Sequence, residues 1–345
     1  MSEQSSPASA WDAFEPAYAG WQLVQRLVVG TRSGLLGELC AGPGTAAEIA
    51  ERAGTDPRLT LEWLRVMTVG GLCDVRDGVF VASPDLAELH EVPGVDSVVG
   101  IVSEALDRLP ALVAALTTAV RSGGGVDPQV YGSAPTRLQN LFSTVETAPR
   151  LVPDLLAPVD GLLDRLGRGC RVLEVGCGAG WALETLADAF PTATFTGLDL
   201  DDLALTMAGE RLRRFGDRVV TRARDVMDVE RGSADVVLAV DVVHDLPDPL
   251  GALVVLRRAL AADGVLVVVE AEATGDFEVD RHGPLGWQYS PSFSRCIPVS
   301  QYAGGEGLGA MWGREAALEL LHRGGFARVD THTTPVHSTV FACRP

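Results

Sequence analysis

The stretch Arg171-Val172-Leu173-Glu174-Val175-Gly176-Cys177-Gly178-Ala179-Gly180 decides the fold of this chain. An apolar run ends here in three closely spaced glycines and continues into a helix-forming segment, Trp181 to Ala189. Glycines permit strained backbone angles and let a ligand approach the chain without a Cβ in the way. Asp199 ends a second apolar run about 20 residues further on, where a ribose-binding carboxylate is expected. The pattern predicts half of a βαβ unit for an adenosine-containing ligand.

The glycine spacing narrows the choice of ligand. Dinucleotide-binding folds use G-x-G-x-x-G, which seats a diphosphate on the helix N-terminus. This chain has G-x-G-x-G followed by the bulky Trp181, and Glu174 lies inside the strand just before the turn. A second acid beside Asp199 would repel a diphosphate but suits a cationic ligand with an amino-acid head and a sulfonium. An NAD-dependent dehydrogenase is therefore disfavoured, and a glycine-rich turn that binds nothing is the other alternative.

The motif resembles that of the class I S-adenosylmethionine-dependent methyltransferases, whose first motif looks like VLEVGCGAG with GLDL on the next strand. The resemblance implies that S-adenosylmethionine is the cofactor. It also implies a set of cofactor-binding residues, in which Asp225 lies near the adenine amino group and an apolar side chain packs on the ring. These residues are Glu174, Gly176, Gly178, Gly180, Asp199, Leu200, Asp225, Val226 and Asp241. For Asp225 the alternative interpretation is a helix or turn cap.

Composition excludes several classes of protein. The chain has 345 residues and a formal net charge of -18, so it lacks the clustered positive charge that nucleic acid requires. No apolar run is long enough to span a bilayer, and the first residues lack the features of a signal peptide, so we expect no membrane partner and a cytoplasmic location. The six scattered cysteines indicate neither a disulfide framework nor a zinc knuckle.

The first 125 residues are predicted to form a helical domain. Apolar residues recur at helical spacing from Trp11 to Cys40, and Thr45 to Ala82 has the order helix, turn, helix and hairpin that is typical of a winged helix. That module carries four arginines against six acids, a net charge of -2, which disfavours DNA binding. The resemblance implies a dimerisation and substrate-covering role, and hence a homodimer formed through this domain.

Residues 126–168 are predicted to be a linker and framing helices, and residues 169–345 the catalytic domain. Strands are predicted at 171–176, 193–199, 218–223, 235–242, 265–270, 326–331 and 338–343, with helices at 181–189, 202–214, 249–261 and 313–323. This alternation predicts an α/β fold with a Rossmann-like, mostly parallel sheet of seven strands. The last connection is too short for a helical crossover, so the final strand must be antiparallel to its neighbour.

The fourth predicted strand ends at Asp241-Val242-Val243-His244-Asp245, the segment most informative about chemistry. His244 and Asp245 lie where similar O-methyltransferases carry His-Asp followed by Trp, although this chain has Leu246 instead of Trp. A neutral imidazole is well matched to removing a proton near pH 7, so His244 is the predicted general base. The alternative is a His-Asp pair that only caps the following helix.

The segment 271–312 is long for a connection in this fold and is predicted to be a lid over the substrate. It supplies the candidate substrate-binding residues Trp287, Tyr289 and Arg295. Its Cys-x-Pro-Val-Ser and Gly-Leu-Gly-x-Met-Trp-Gly pieces resemble a bacterial subgroup, some of whose members methylate the β-carbon of α-keto acids with help from a metal.

A metal site is a further hypothesis. His332 and His337 flank the turn between the last two strands, on the sheet edge that also carries His244 and Asp245. Two histidines and a carboxylate on one rim could hold a divalent iron or zinc ion that acidifies the β-C–H of a keto acid. The other interpretation is that His332 and His337 are ordinary turn residues.

The predicted function is methyl transfer from S-adenosylmethionine to a small molecule of specialised metabolism. Two acceptors compete: a hydroxyl group with His244 as sole base, and the β-carbon of an α-keto acid with a metal. A sensor that only binds S-adenosylmethionine and carries a winged-helix module is the alternative from another class.

Overall fold

A computed structural model describes residues 7–90 and 98–345. The chain divides into two compact units, one ending at Asp107 and one beginning at Arg108. Within the described ranges, no helix is both long enough and apolar enough to cross a bilayer.

The structure contains helices, strands and several short tight or wide helical turns. The helices are α1 Pro7–Ser33, α2 Leu35–Ala41, α3 Ala46–Ala53, α4 Pro57–Val69, α5 Pro84–His90, α6 Val98–Ser122, α7 Ala134–Phe142, α8 Ala148–Arg150, α9 Leu162–Arg168, α10 Trp181–Ala189, α11 Asp202–Leu212, α12 Pro249–Ala259, α13 Phe277–Asp280, α14 Tyr289–Pro291, α15 Ile297–Tyr302 and α16 Arg314–Arg323. The strands are β1 Gly44–Thr45, β2 Cys73–Arg76, β3 Val79–Ala82, β4 Arg171–Val175, β5 Thr194–Asp199, β6 Val219–Ala223, β7 Ala234–Val240, β8 Leu260–Ala271, β9 Arg328–Thr333 and β10 Ser338–Arg344.

The first unit has the predicted order of helix, turn, helix and hairpin. Thr45 and Glu48 form a reciprocal capping box at the start of α3, and Asp56 caps α4 ahead of Pro57. Strands β1, β3 and β2 form a small antiparallel sheet over a core that includes Leu36, Leu64 and Met67. These caps and the buried core stabilise the module.

The long N-terminal helix of the prediction is broken. Gly34 has a φ of +81° and separates α1 from α2, because only glycine adopts this left-handed conformation without strain. The amphipathic pattern of the sequence also predicts a helix from Val95 to Val120. In the structure α6 begins at Val98, and residues 95–97 lie outside the described ranges.

The second unit is built on the predicted seven-stranded sheet. Its strand order is β6-β5-β4-β7-β8-β10-β9, and β10 is antiparallel to both β8 and β9. Buried apolar clusters cover both faces, one including Leu183 and Leu238 and the other Leu253 and Phe341. Carboxyl ends of the parallel strands therefore meet at one edge, where ligands bind in open α/β sheets.

The segment before the sheet, predicted to hold framing helices, is helical but interrupted at its prolines. Wide π-helical turns at Ser143–Thr147 and Leu151–Leu156 flank α8, which contains Pro149. The missing N–H of proline removes a helical hydrogen bond, so the regular α-helix cannot continue here.

The segment predicted as a lid is more ordered than an irregular insertion. It contains α13, α14, α15, the short turn Gly286–Gln288 and the π-helix Ser292–Cys296. Residues from the predicted linker hold it in place: the Val126 N–H donates to Pro298 O at 2.9 Å, and the Tyr302 hydroxyl to Asp127 Oδ2 at 3.1 Å.

Candidate active site

The glycine loop after β4 forms an open backbone cradle. Gly176, Gly178 and Gly180 all have positive φ angles, of 66°, 52° and 77°. A Cβ on Gly176 would lie 2.4 Å from a Val242 methyl, whereas a Cβ on Gly178 would meet nothing within 4 Å. The loop is thus tightly packed against Val242 at Gly176 and open at Gly178, so a ligand can approach the backbone there.

Asp199 at the end of β5 fixes this loop. Its Oδ2 accepts from the Gly178 N–H at 2.7 Å and its Oδ1 from the Asp201 N–H at 2.9 Å. A carboxylate has further lone pairs, so both oxygens can still accept ribose hydroxyls. Ribose binding by Asp199 stays a prediction, and the structure adds a role in shaping the loop.

Glu174 lies buried behind the glycines. Its Oε2 is enclosed and has no hydrogen-bond partner in the described chain. Burial, and then the negative charge of Asp199, raise the pKa of Glu174 well above its ordinary value. An unpartnered buried acid next to an open backbone cradle fits the cationic amino-acid end of S-adenosylmethionine, because that charge would offset the burial cost.

Arg211 supports the loop from behind and was not predicted from sequence. From α11, its Nε donates to Ala179 O at 2.9 Å, and its guanidinium also contacts Glu184 at 2.8 Å and Asn140 Oδ1 at 2.9 Å. This bridge ties the glycine loop to α10 and α7. On an amphipathic helix, nothing in the sequence separates Arg211 from an ordinary surface arginine.

The remaining predicted cofactor residues lie along the same edge. Asp225 Oδ1 caps the turn Val226–Asp228 by accepting from Met227 N–H at 2.9 Å, Val226 is buried, and Leu200 is 67% exposed. The cap is the alternative role foreseen for Asp225. The Asp241 residue is exposed to solvent on one side. The surrounding protein nevertheless desolvates its carboxyl group, and this desolvation raises the pKa of Asp241 to about 6, with a smaller contribution from the negative charges of Glu270 and Asp245. The charge of His244 acts in the opposite direction.

The part of the site where the methyl acceptor is expected, called the acceptor side below, lies at the ends of β7 and β8. At its centre His244 and Glu270 form a buried pair. His244 Nδ1 lies 2.5 Å from Glu270 Oε2, and both side chains are buried. Glu270 also accepts from the Val243 N–H at 3.1 Å and from Trp312 Nε1 at 3.4 Å. The carboxylate orients the imidazole and leaves Nε2 directed to the other side, the arrangement that a general base needs.

The protonation of His244 depends on its neighbours. Burial alone would lower the pKa of His244, but the charge of Glu270, the contact with Cys296 and the charge of Asp245 together raise it well above its ordinary value. These neighbours therefore favour the protonated form of His244 in the ligand-free site, and a positive charge bound beside it would shift the balance back towards the neutral base.

Cys296, at the end of the π-helix in the lid, completes the group. One donor atom each from His244, Asp245 and Cys296 lies within 4.8 Å of the others. His244 Nε2 is 3.4 Å from Asp245 Oδ1, which is buried and has no hydrogen bond in the described chain. Burial, opposed by the contact with His244, raises the pKa of the Cys296 thiol.

The predicted ligand set of His244, Asp245, His332 and His337 is not assembled. Of the described residues, His244, Asp245 and Cys296 form the group with metal-binding spacing, and His332 and His337 are not part of it. His337 instead lies 3.4 Å from Glu272, at the turn beyond β8. For His332 the strand order explains this, because β8 and β10 separate β9, which carries His332, from β7, after which His244 lies.

The three predicted substrate residues lie in different surroundings. Trp287 is 61% exposed, and Tyr289 packs edge-on against Phe277 with ring centroids 5.3 Å apart. The hydrogen bonds around His244 involve neither of them. Arg295 immediately precedes Cys296 and is half-buried.

Sequence reasoning missed Glu270, Cys296 and Trp312 as members of the site. Glu270 gave a signal, since it is an acid at the end of the apolar run Val265 to Val269 at the ligand edge. Cys296 and Trp312 lie in the two lid pieces that resemble the metal-assisted subgroup, but the sequence does not show that they reach His244, because the fold of the lid brings them there.

Comparisons with known proteins agree with this fold. Residues 173–266 match the family model described as a methyltransferase domain. The 3-amino-4-hydroxybenzoate 4-O-methyltransferase of Streptomyces cremeus is 26% identical over 278 residues, 78% of this chain and 76% of that protein. The 3-hydroxy-5-methyl-1-naphthoate 3-O-methyltransferase of Streptomyces sahachiroi is 28% identical over 277 residues, 76% of each chain.

The first curated relatives that it matches are covered only in part, between 4% and 42% of their own length. Among solved structures, human N-acetylserotonin methyltransferase in complex with SAM has a TM-score of 0.70 at 17% identity, covering 100% of this chain and 99% of that chain. The matching methyltransferase domain, the glycine loop and the seven-stranded sheet with a helical N-terminal region all agree with the resemblance to class I S-adenosylmethionine-dependent methyltransferases, and the fold is the one expected from it.

Proposed function

We propose that this chain transfers a methyl group from S-adenosylmethionine to the hydroxyl oxygen of a small aromatic molecule of specialised metabolism. The observation that carries the proposal is the buried His244–Glu270 pair, which lies on the sheet edge shared with the glycine cradle. A carboxylate-oriented imidazole at this place is suited to removing a hydroxyl proton as the oxygen attacks.

In this mechanism the cofactor, when bound, supplies an electrophilic methyl group on sulfur. Glu270 holds Nδ1 of His244, so that Nε2 accepts the acceptor's proton when the ring is neutral. The carboxylate of Glu270 then stabilises the imidazolium that forms. Trp312 and the lid around Cys296 enclose the pair and exclude water.

The names of the relatives support a hydroxyl acceptor. The two Streptomyces relatives are O-methyltransferases of a hydroxybenzoate and a hydroxynaphthoate. We therefore take 3-amino-4-hydroxybenzoate and 3-hydroxy-5-methyl-1-naphthoate as the first probe acceptors.

The test combines binding and turnover. Calorimetry with S-adenosylhomocysteine should show binding, and mass spectrometry with S-adenosylmethionine and each probe acceptor should show a methyl ether. Binding of S-adenosylhomocysteine without methyl transfer to any phenol of a wider panel would instead favour the sensor. No binding at millimolar concentration would remove both functions.

The second candidate is metal-assisted methylation of the β-carbon of an α-keto acid. One observation favours it, the approach of donor atoms from His244, Asp245 and Cys296 to within 4.8 Å of one another. Those three side chains would hold a divalent ion, which would acidify the C–H next to a keto group. Elemental analysis of protein purified without chelator, and activity after chelation, separate this candidate from O-methylation.

We also propose that the chain forms a homodimer through its first helix. Trp11, Phe14, Tyr18 and Trp21 are each at least 40% exposed on α1, and the rings of Trp11, Phe14 and Tyr18 lie about 6 Å apart. Such a stripe favours burial against a second copy. Light scattering after gel filtration should give the mass of a dimer, and a Trp11→Ser, Phe14→Ser double variant should shift it towards a monomer.

A further inference from the structure

Arg295 is an unusual arginine in this structure. It lies in the π-helix Ser292–Cys296, is half-buried, and has neither a hydrogen bond nor an ion pair within residues 7–90 and 98–345. Every other described arginine that lacks both is exposed to solvent. Those arginines are Arg76, Arg108, Arg121, Arg168, Arg213, Arg222, Arg231, Arg258 and Arg314.

Partial burial of an unpaired guanidinium is unfavourable. It loses part of its hydration, and an anion or a set of hydrogen-bond acceptors normally offsets that loss. Arg211 is a partly buried arginine that has such partners, because its guanidinium contacts Glu184 and Asn140. For Arg295 no residue of the described chain supplies such an anion.

Arg295 also lies next to the acceptor site. The Tyr131 hydroxyl donates to Ser294 O at 2.7 Å, on one side of Arg295, and Cys296 on the other side belongs to the group around His244. Burial raises the pKa of Tyr131 to about 12, and the charges of Arg295 and Cys296 both act on the same phenol. Tyr131 thus holds the π-helix that carries both Arg295 and Cys296, and Cys296 is the residue of this helix that lies in the group around His244.

The negative charges near the acceptor side favour a singly charged anion over a dianion. Asp241, Asp245 and Glu270 all lie on the acceptor side, so a dianion such as a phosphate ester would meet strong repulsion. A carboxylate carries one charge and matches the planar guanidinium with two parallel hydrogen bonds.

We propose that Arg295 binds a carboxylate of the acceptor, so that the substrate is a hydroxylated aromatic carboxylic acid rather than a neutral phenol. This inference rests on the proposed O-methylation for the role of the hydroxyl group, but not for the binding of the carboxylate. Arg295 is then the residue that determines specificity, and His244 the residue that performs the proton transfer.

The test compares acids with their neutral carboxamides. Protein saturated with S-adenosylhomocysteine is titrated with 3-amino-4-hydroxybenzoate, 3-hydroxy-5-methyl-1-naphthoate and the two corresponding carboxamides. The acids should bind about 10- to 100-fold more tightly than the amides, the range of one charge-assisted hydrogen-bond pair. Arg295→Gln should remove the preference and leave amide binding within about twofold, whereas Arg295→Lys should keep part of it.

Arg281 provides the matched control, because it lies in the same lid but is exposed and paired with Glu278 at 2.8 Å. Arg281→Gln should keep the full preference for acids. Equal binding of acid and amide, no binding of either acid, or a preference that survives in Arg295→Gln overturns the inference. The proposed function fails differently, through acids that bind normally and are never methylated by the wild-type protein.

Discussion

The cofactor-binding part and the acceptor-binding part of the site, which lie at the same edge of the sheet, are built in different ways. The cofactor side is made from one stretch, Glu174 to Gly180, and from Asp199 after the next strand, and it presents mainly backbone. The acceptor side is made from side chains of distant segments, with His244, Glu270, Cys296 and Trp312 meeting in one group. A bound nucleoside needs bare backbone, whereas proton transfer needs particular side chains.

This difference predicts how each side responds to substitution. On the cofactor side, several backbone groups share the binding energy, so single changes should cost little. On the acceptor side, one imidazole carries the proton transfer, so its loss should cost much more. The predictions below test that contrast, beginning with the largest effect.

The largest effect is expected from His244→Gln. Loss of the base should reduce kcat for methylation of 3-amino-4-hydroxybenzoate by about 10²- to 10⁴-fold, the usual contribution of general base catalysis. The affinity for S-adenosylhomocysteine should stay within about twofold, because His244 is not part of the glycine cradle. Initial rates and calorimetry on the same preparation measure both quantities.

His337→Gln is the control for this variant, since His337 is half-exposed at another turn, near Glu272. Its kcat should match that of the wild type. Equal rates in His244→Gln and the wild type would show that the buried pair is only structural.

Glu270→Gln should give the next largest effect. Loss of the carboxylate should lower kcat by about 10- to 100-fold, less than loss of the base itself. The pKa of His244 is raised mainly by Glu270 against the effect of burial, so neutral His244 exists only at higher pH in the wild type. The rate should therefore fall as the pH drops through that raised pKa, and the fall should move to lower pH in the variant.

A pH–rate profile of kcat for both proteins checks this sign. Thr334→Ala is a useful control, because Thr334 is also buried but hydrogen-bonds only around the turn before β10. An acid limb that keeps its position in Glu270→Gln would contradict the assignment of His244 as the titrating base.

The same contrast explains what could be predicted from sequence. The number and direction of the seven strands follow from local alternation and from one loop that is too short for a crossover, and both are confirmed. Gly176, Gly178, Gly180 and Asp199 are close in sequence, so their pattern alone indicates that they meet. The break at Gly34 was missed, because the apolar spacing continues across a residue whose φ is not visible in sequence.

The acceptor side could be predicted only at His244 and Asp245. Cys296 reaches them because a π-helix turns it inwards and because residues 126–131 hold that part of the lid. Sequence periodicity carries no information on such contacts between distant segments. The hypothesis that His332 and His337 complete a metal site failed for the same reason. His332 lies on β9, which β8 and β10 separate from β7, and His337 contacts Glu272 instead.

On the cofactor side, Asp199→Asn should have a moderate effect. The amide can accept fewer hydrogen bonds than the carboxylate and places an N–H₂ group near the Gly178 or Asp201 N–H. The affinity for S-adenosylhomocysteine should fall about 10- to 30-fold, the value of one or two charge-assisted hydrogen bonds. Calorimetry measures this affinity. Asp225→Asn, which changes an exposed turn cap, is expected to lose about threefold or less.

The smallest effect concerns the stability of Glu174→Gln, and it is a gain, whereas the variants above lose activity or affinity. The pKa of Glu174 is raised in the folded protein by burial and by Asp199, so the fold favours its protonated form. Its contribution to stability is therefore full below its unfolded pKa and is lost as the pH rises through the raised value. Glu174→Gln keeps the shape without the charge, so its melting temperature should exceed that of the wild type by about 2–6 °C at pH 8, and the difference should vanish near pH 4.

Scanning calorimetry of the ligand-free proteins across that pH range provides the measurement. Glu230→Gln, an exposed carboxylate, should not change the melting temperature by more than about 1 °C at any pH. Glu174→Gln should also bind S-adenosylhomocysteine more weakly. The buried Glu174 carboxylate that destabilises the ligand-free protein is the group that we expect the ligand's ammonium group to neutralise. A variant that gains stability and binds equally well would place the positive end of the ligand elsewhere.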